Sequence, residues 1–104
     1  MSGADNYALI RQAILDRHQV HATYQGRPRG LCPHVLGTKN GRRQTLFFQF
    51  AGESRRGLPP GGDWRCLPVD ELTDVSVHEG HWHGTERYDP NQSCVAEVDV
   101  EITD

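Results

Sequence analysis

The pair Asn40-Gly41, set between two apolar runs, constrains this chain more than any other feature. Both residues tolerate positive φ, which is what a two-residue hairpin turn demands. The pair follows Leu31–Leu36 and leads into Gln44–Ala51, where Leu46, Phe48 and Phe50 share one face. Pro33 cannot donate to a ladder, so it is expected at an edge or a bulge. A period of two also runs through Gln19–Tyr24, with Val20, Ala22 and Tyr24 on one side, and Gln25-Gly26-Arg27-Pro28 reads as a turn. Trp64–Val69 and Thr73–His78 read as two further strands around a tight turn at Asp70-Glu71-Leu72. Helical spacing occurs only from about Asn6 to Arg17, where Leu9, Ile10, Ala13 and Ile14 fall on one face and Ser2 or Asp5 can cap. One helix followed by five short strands, with no β-α-β alternation, predicts a mainly β fold, a small antiparallel barrel. Val20, Ala22, Tyr24, Leu31, Leu46, Phe48, Phe50, Leu67, Val69 and Val75 are its expected core.

The last residues carry their own pattern. Ala96, Val98, Val100 and Ile102 alternate with Glu97, Asp99 and Glu101. A lone strand is unstable in water, so this tail should join an exposed barrel edge, its own or a neighbour's. Strand exchange between two copies would cover such an edge, which makes a homodimer the expected assembly. The division is therefore a barrel with its leading helix at 1–80 and an acidic extension at 81–104.

Composition mostly excludes. A chain of 104 residues allows one modest core. No apolar run approaches the roughly 18–20 residues of a membrane span, and MSGADNYALIRQ does not read as a secretory signal. The 3 cysteines are odd in number and widely spaced, which argues against a disulfide framework and for a reducing cytoplasm. On this reading Cys32 and Cys66 are buried thiols on strands.

Charge is distributed unevenly. Residues 1–65 hold ten basic groups and four acids, whereas residues 66–104 hold Arg87 and ten acids. The basic part points to an anion site built from Arg27, Arg29, Arg55, Arg56 and Arg65, with Tyr24 and Trp64 as stacking platforms. Guanidinium forks pair with phosphate or carboxylate, and aromatic faces accept bases. Arg55 and Arg56 fall in Gly52–Asp63, a long loop rich in glycine and proline. The opposed charge also allows the two parts to pair within a dimer, a protein-interaction module without a small ligand.

Two other chemistries have partial signals in the sequence. His78, His81 and His83 lie close together, and Cys66 or Cys94 would complete a tetrahedral zinc site, but the spacing matches no standard zinc motif. Hydrogen-bonded histidines are the expected reading, with no metal and no cofactor. No nucleophile elbow, phosphate-binding loop or Cys-His pairing is visible, so no enzyme is expected.

The run Tyr24…Arg29-Gly30-Leu31-Cys32-Pro33…Leu36, the strand Leu46-Phe47-Phe48, and Arg65-Cys66-Leu67-Pro68-Val69-Asp70-Glu71-Leu72 together resemble the WYL-domain family. The resemblance covers about residues 7–78. It implies a five-stranded Sm/SH3-like barrel behind a leading helix, serving as a ligand-sensing or regulatory module. Many members follow a helix-turn-helix in bacterial transcription regulators, whereas residues 1–18 here hold a single helix and imply a standalone domain. The resemblance further implies a nucleotide or single-stranded nucleic acid on a basic barrel face, with Arg29 and Arg65 at the family's arginine positions. This chain departs from the family in reading Leu-Phe-Phe for the name triplet and in placing Pro68 and Glu71 where basic residues are usual.

Overall fold

A computed structural model describes residues 3–52, 57–84 and 92–102. Helix α1 (Gly3–Asp16) precedes strands β1 (Gln19–Tyr24), β2 (Arg27–Lys39), β3 (Arg42–Gly52) and β4 (Asp63–Pro68). A single 3₁₀ turn (Val69–Glu71) leads into β5 (Thr73–His78), and β6 (Glu97–Glu101) closes the order. All pairings are antiparallel, in the order β4-β3-β2-β1-β5 with β6 added to β2. This is a mainly β, small barrel-like antiparallel fold with a leading helix and a strand-forming tail. None of the described helices is long and apolar enough to cross a membrane.

Local chemistry sets the frame. Asn40 and Gly41 adopt φ of 54° and 79°, and the turn closes on the pair Lys39↔Arg42. Gln25 and Gly26 repeat the device at φ of 53° and 75° between Tyr24 and Arg27. The helix ends in a Schellman arrangement: His18 N–H donates to Ala13 O at 2.9 Å and Arg17 N–H to Ile14 O at 3.3 Å. Arg17 supplies the left-handed residue, at φ 57°. Ile10, Ala13 and Ile14 are buried over one end of the barrel. There Asn6 Nδ2 donates to Val69 O and Leu72 O at 3.2 and 2.9 Å, tying the helix to the 3₁₀ turn.

Strand β2 is the spine, and it is bent. Its first half pairs with β1 through Leu31, and its second half pairs with β6 from Val35 to Thr38. Both β1 and β6 therefore lie along the same side of β2, end to end, with β3 on the other. Pro33 is not at a sheet edge. It sits at a bulge, where Pro33↔Phe47 and Val35↔Leu46 leave His34 as the extra residue.

The core differs from expectation at β3. Phe47, not Phe48, sits in the main apolar cluster with Leu31, Leu36, Leu67 and the helix. Leu46 joins a second cluster with Val35, Cys94 and Val95, against Trp64. Phe48 is buried too, packed edge-on against Trp64 with ring centroids 5.1 Å apart. Phe50 is half-buried and stacks on His83 at 4.4 Å. Alternation misled because both faces of β3 are covered, which removes the polar half of the pattern.

The cysteine expectation is also corrected. Cys66 and Cys94 form a disulfide across 28 residues of sequence, with Cα atoms 5.6 Å apart. Residues 92–96 return alongside β3 and β4, which sequence spacing does not reveal. Cys66 is exposed rather than buried; Cys32 alone is a free, buried thiol. The argument from cysteine count to a reducing cytoplasm loses its premise.

Candidate anion site at the polar end of the barrel

Register partners in an antiparallel ladder point to the same face, so the pairings show which side chains converge. Leu31↔Gln49↔Asp63 and Phe47↔Arg65 continue the inner row beyond the apolar cluster, and Ala22↔Arg29 and Tyr24↔Arg27 extend it on the other side. The barrel interior is thus apolar under α1 and polar at its opposite end.

Arg29 is the centre of that end. It is only 6% exposed. Its Nη1 donates to Gln49 Oε1 at 3.3 Å, and its guanidinium carbon lies 5.2 Å from the centroid of the Tyr24 ring. Gln49, fully buried, donates in turn from Nε2 to Ala51 O at 3.1 Å. No carboxylate among the described residues pairs with Arg29, and its Nε is buried without a hydrogen-bond partner. Burial holds the guanidinium below its ordinary pKa, the positive charges of Arg65 and Arg27 add to the effect, and Tyr24 opposes it. A buried cation without a counter-charge is costly, and a guanidinium cannot relieve that cost by losing its proton.

Arg65 is held differently. Its Nη1 donates to Asp63 Oδ2 at 3.0 Å and to Trp64 O at 3.1 Å, which fixes it beside Arg29 on β4. Tyr24, Arg27, Arg29 and Arg65 are therefore brought together. Trp64 is not with them. It turns to the other face of β4, edge-on to Phe48 and to His34, whose ring centroid is 4.8 Å away. Arg55 and Arg56 lie outside the described residues.

Arg29 also lines a cleft of about 410 Å³ with His21, Thr23, Gly30, Gly52 and Asp74. Two register slips meet there, one between β2 and β3 at Gly30/Leu31 and one between β1 and β5 at His21/Thr23. Asp74 takes φ of 51° beside the second slip, and bulges of this kind re-aim side chains around binding sites. Gly52 is required by the close approach of β2: at φ 95°, a Cβ would meet Pro28 O at 2.5 Å. Gln49 is the member of this site that the sequence reading missed. Its signal was an amide set between Phe48 and Phe50 on the most apolar strand.

The histidines gather on the outer face, with His21 also bordering the cleft. His21 lies 4.4 Å from His78, and His83 lies 4.8 Å from His81 and stacks on Phe50. Burial lowers the pKa of His21 and of His83, each aided by its histidine neighbour. Ser76 Oγ pairs with His78 Nε2 at 2.8 Å. Among the described residues no three His, Cys, Asp or Glu side chains are grouped to hold a metal ion.

No family model, no curated protein and no solved structure matches this chain. The resemblance to WYL domains therefore rests on the residues quoted for it.

Proposed function

We propose that this chain is a non-enzymatic, WYL-like regulatory module that binds an anionic ligand, a nucleotide or a single-stranded nucleic acid, at the polar end of the barrel. One observation carries the reading: the buried Arg29 guanidinium, beside Arg65, has no carboxylate partner among the described residues. A phosphate oxygen would supply the missing charge, and Tyr24 offers an aromatic face next to it. The overall charge of −3 gives no net pull on an anion, so the attraction would be local to the arginines.

The test is calorimetric titration with mononucleotides and short single-stranded oligonucleotides across a salt series. Affinity should fall as salt rises. Arg65→Ala should weaken binding, and Arg29→Lys, which keeps the charge but loses the fork, should weaken it more. Binding indifferent to salt or to both variants would refute the reading. The rival, a protein-interaction module that assembles through its acidic tail, predicts instead that salt changes the particle size by light scattering.

A further inference from the structure

The tail is held to the barrel by the disulfide, by its ladder with β2 and by the polar contacts of Asp99 with Tyr7 and Arg11, but little of β6 itself is buried. Along β6, Glu97, Val98, Asp99 and Glu101 are exposed and Val100 is half-buried. The burial that secures it lies at its ends, in Cys94, Val95 and Ile102. Its pairing with β2 slips between Leu36 and Gly37. A segment with so little burial is the one expected to open first once its tether is cut.

The tether is accessible. Cys66 is exposed, and both half-cystines line a cavity of about 370 Å³ with Lys39, Gln44, Leu46 and Trp64. Lys39 Nζ donates to Ser93 O at 2.7 Å, one residue before Cys94. Gln44 Nε2 donates to the carbonyl of Cys94 itself at 2.7 Å. The cavity thus offers an apolar wall at Leu46 and Trp64, both half-cystines in its lining, and the Lys39 cation fixed to the backbone beside Cys94. A nearby cation favours the thiolate that leaves when a disulfide is attacked.

We propose that Cys66–Cys94 is a reducible latch, addressed through this cavity by a dithiol, whose opening releases β6 from β2 while the five-stranded barrel stays folded. A thiolate of the dithiol attacks Cys66 Sγ and breaks the S–S bond. Cys94 Sγ departs with the electron pair and takes a proton from water. The second thiol of the reductant loses its proton and attacks the reductant's sulfur in the mixed disulfide. Cys66 thiolate leaves and is protonated, and the reductant ends as its own disulfide. The protein has gained two electrons and two protons. Cys32 takes no part: it is buried, burial raises its pKa to about 11, and its Sγ accepts the His83 N–H at 3.4 Å.

The experiment treats the full chain with dithiothreitol under native conditions, followed by thiol counting and amide hydrogen exchange. The expected result is two newly reactive thiols with Cys32 still masked. Protection in Glu97–Glu101 should fall about tenfold or more, with β1 and β3 unchanged. Lys39→Gln should slow native reduction severalfold. Cys66→Ser/Cys94→Ser should reproduce the exchange pattern of the reduced chain. Should that variant fail to fold, the dithiothreitol-treated wild type decides the matter alone. A bond that resists native reduction, a β6 equally protected after reduction, or unfolding of the whole chain on reduction would each overturn the latch.

Discussion

Tyr7 on the first helix donates its hydroxyl to Asp99 Oδ2 on the last strand at 2.5 Å, and Arg11 Nε reaches the same carboxylate at 3.4 Å. Burial first, then the hydrogen bond and charge of Asp99, push the Tyr7 pKa up from 10.0 to about 12. Between those values an unfolded chain has lost the phenol proton and the folded one keeps it, so unfolding becomes easier as pH rises through the window. Tyr7→Phe should cost about 0.5–1.5 kcal/mol at neutral pH. It should also remove the alkaline decline, as read from denaturant melts on either side of pH 10.

Phe47→Ala is expected to cost about 3–5 kcal/mol, because its ring fills the main cluster and neighbouring strands cannot collapse into the space. Phe50→Ala, which loosens a half-buried ring on the outer face, should cost nearer ~1 kcal/mol. Urea unfolding of the two variants would reveal a reversed order if the barrel interior were lined by the Phe50 face.

His34 makes the acid limb steep. It is fully buried between Trp64 and Trp82, and its Nδ1 bonds to Cys32 O at 2.9 Å. Burial lowers its pKa from 6.5 to about 4, against the opposing pull of the Cys32 carbonyl and with a small addition from Arg17. The unfolded state binds the proton first as pH falls, so stability is complete above 6.5 and declines toward 4. His34→Gln should flatten that limb in thermal melts, and an identical limb in the variant would assign the decline to other groups.

Gly37→Ala attacks β6 without touching the disulfide. A Cβ there would lie 2.0 Å from Glu97 O and 2.7 Å from Val95 Cγ1, so the tail must move. The expected cost is about 1–3 kcal/mol. Hydrogen exchange should show the loss concentrated in Glu97–Glu101, and a loss spread evenly over β1–β5 would contradict the register of the tail.

Much of this fold was legible because local rules agree with the final arrangement. Asn40-Gly41 needs only backbone sterics to be read as a turn, and β1 and β5 begin and end where the alternation does. The choice between Phe47 and Phe48 was not legible, since it depends on residues 81–84 and 92–96 covering the second face of β3. The bond between Cys66 and Cys94 stayed hidden for the same reason: it is created by where the tail docks, which is a tertiary fact. Arg29 and Arg65 were grouped from the uneven charge and the family resemblance, whereas Gln49, which accepts from Arg29, offered only an amide between apolar neighbours. The imidazole row was half visible. His78, His81 and His83 are close in sequence, whereas His21 joins them only through the pairing of β1 with β5.

The bend of β2 has a consequence for synthesis. Its Val35–Thr38 stretch is partnered on one side by the hairpin to β3, a local event complete soon after Arg42–Gly52 emerge. On the other side the partner is Glu97–Glu101, and Glu97 follows Thr38 by 59 residues. While the chain is being made, the amides of that stretch face water on one side until the tail arrives. The barrel can thus assemble its first five strands with one flank unsealed, and β6, translated after them, is the strand that ends its exposure to strands of other chains.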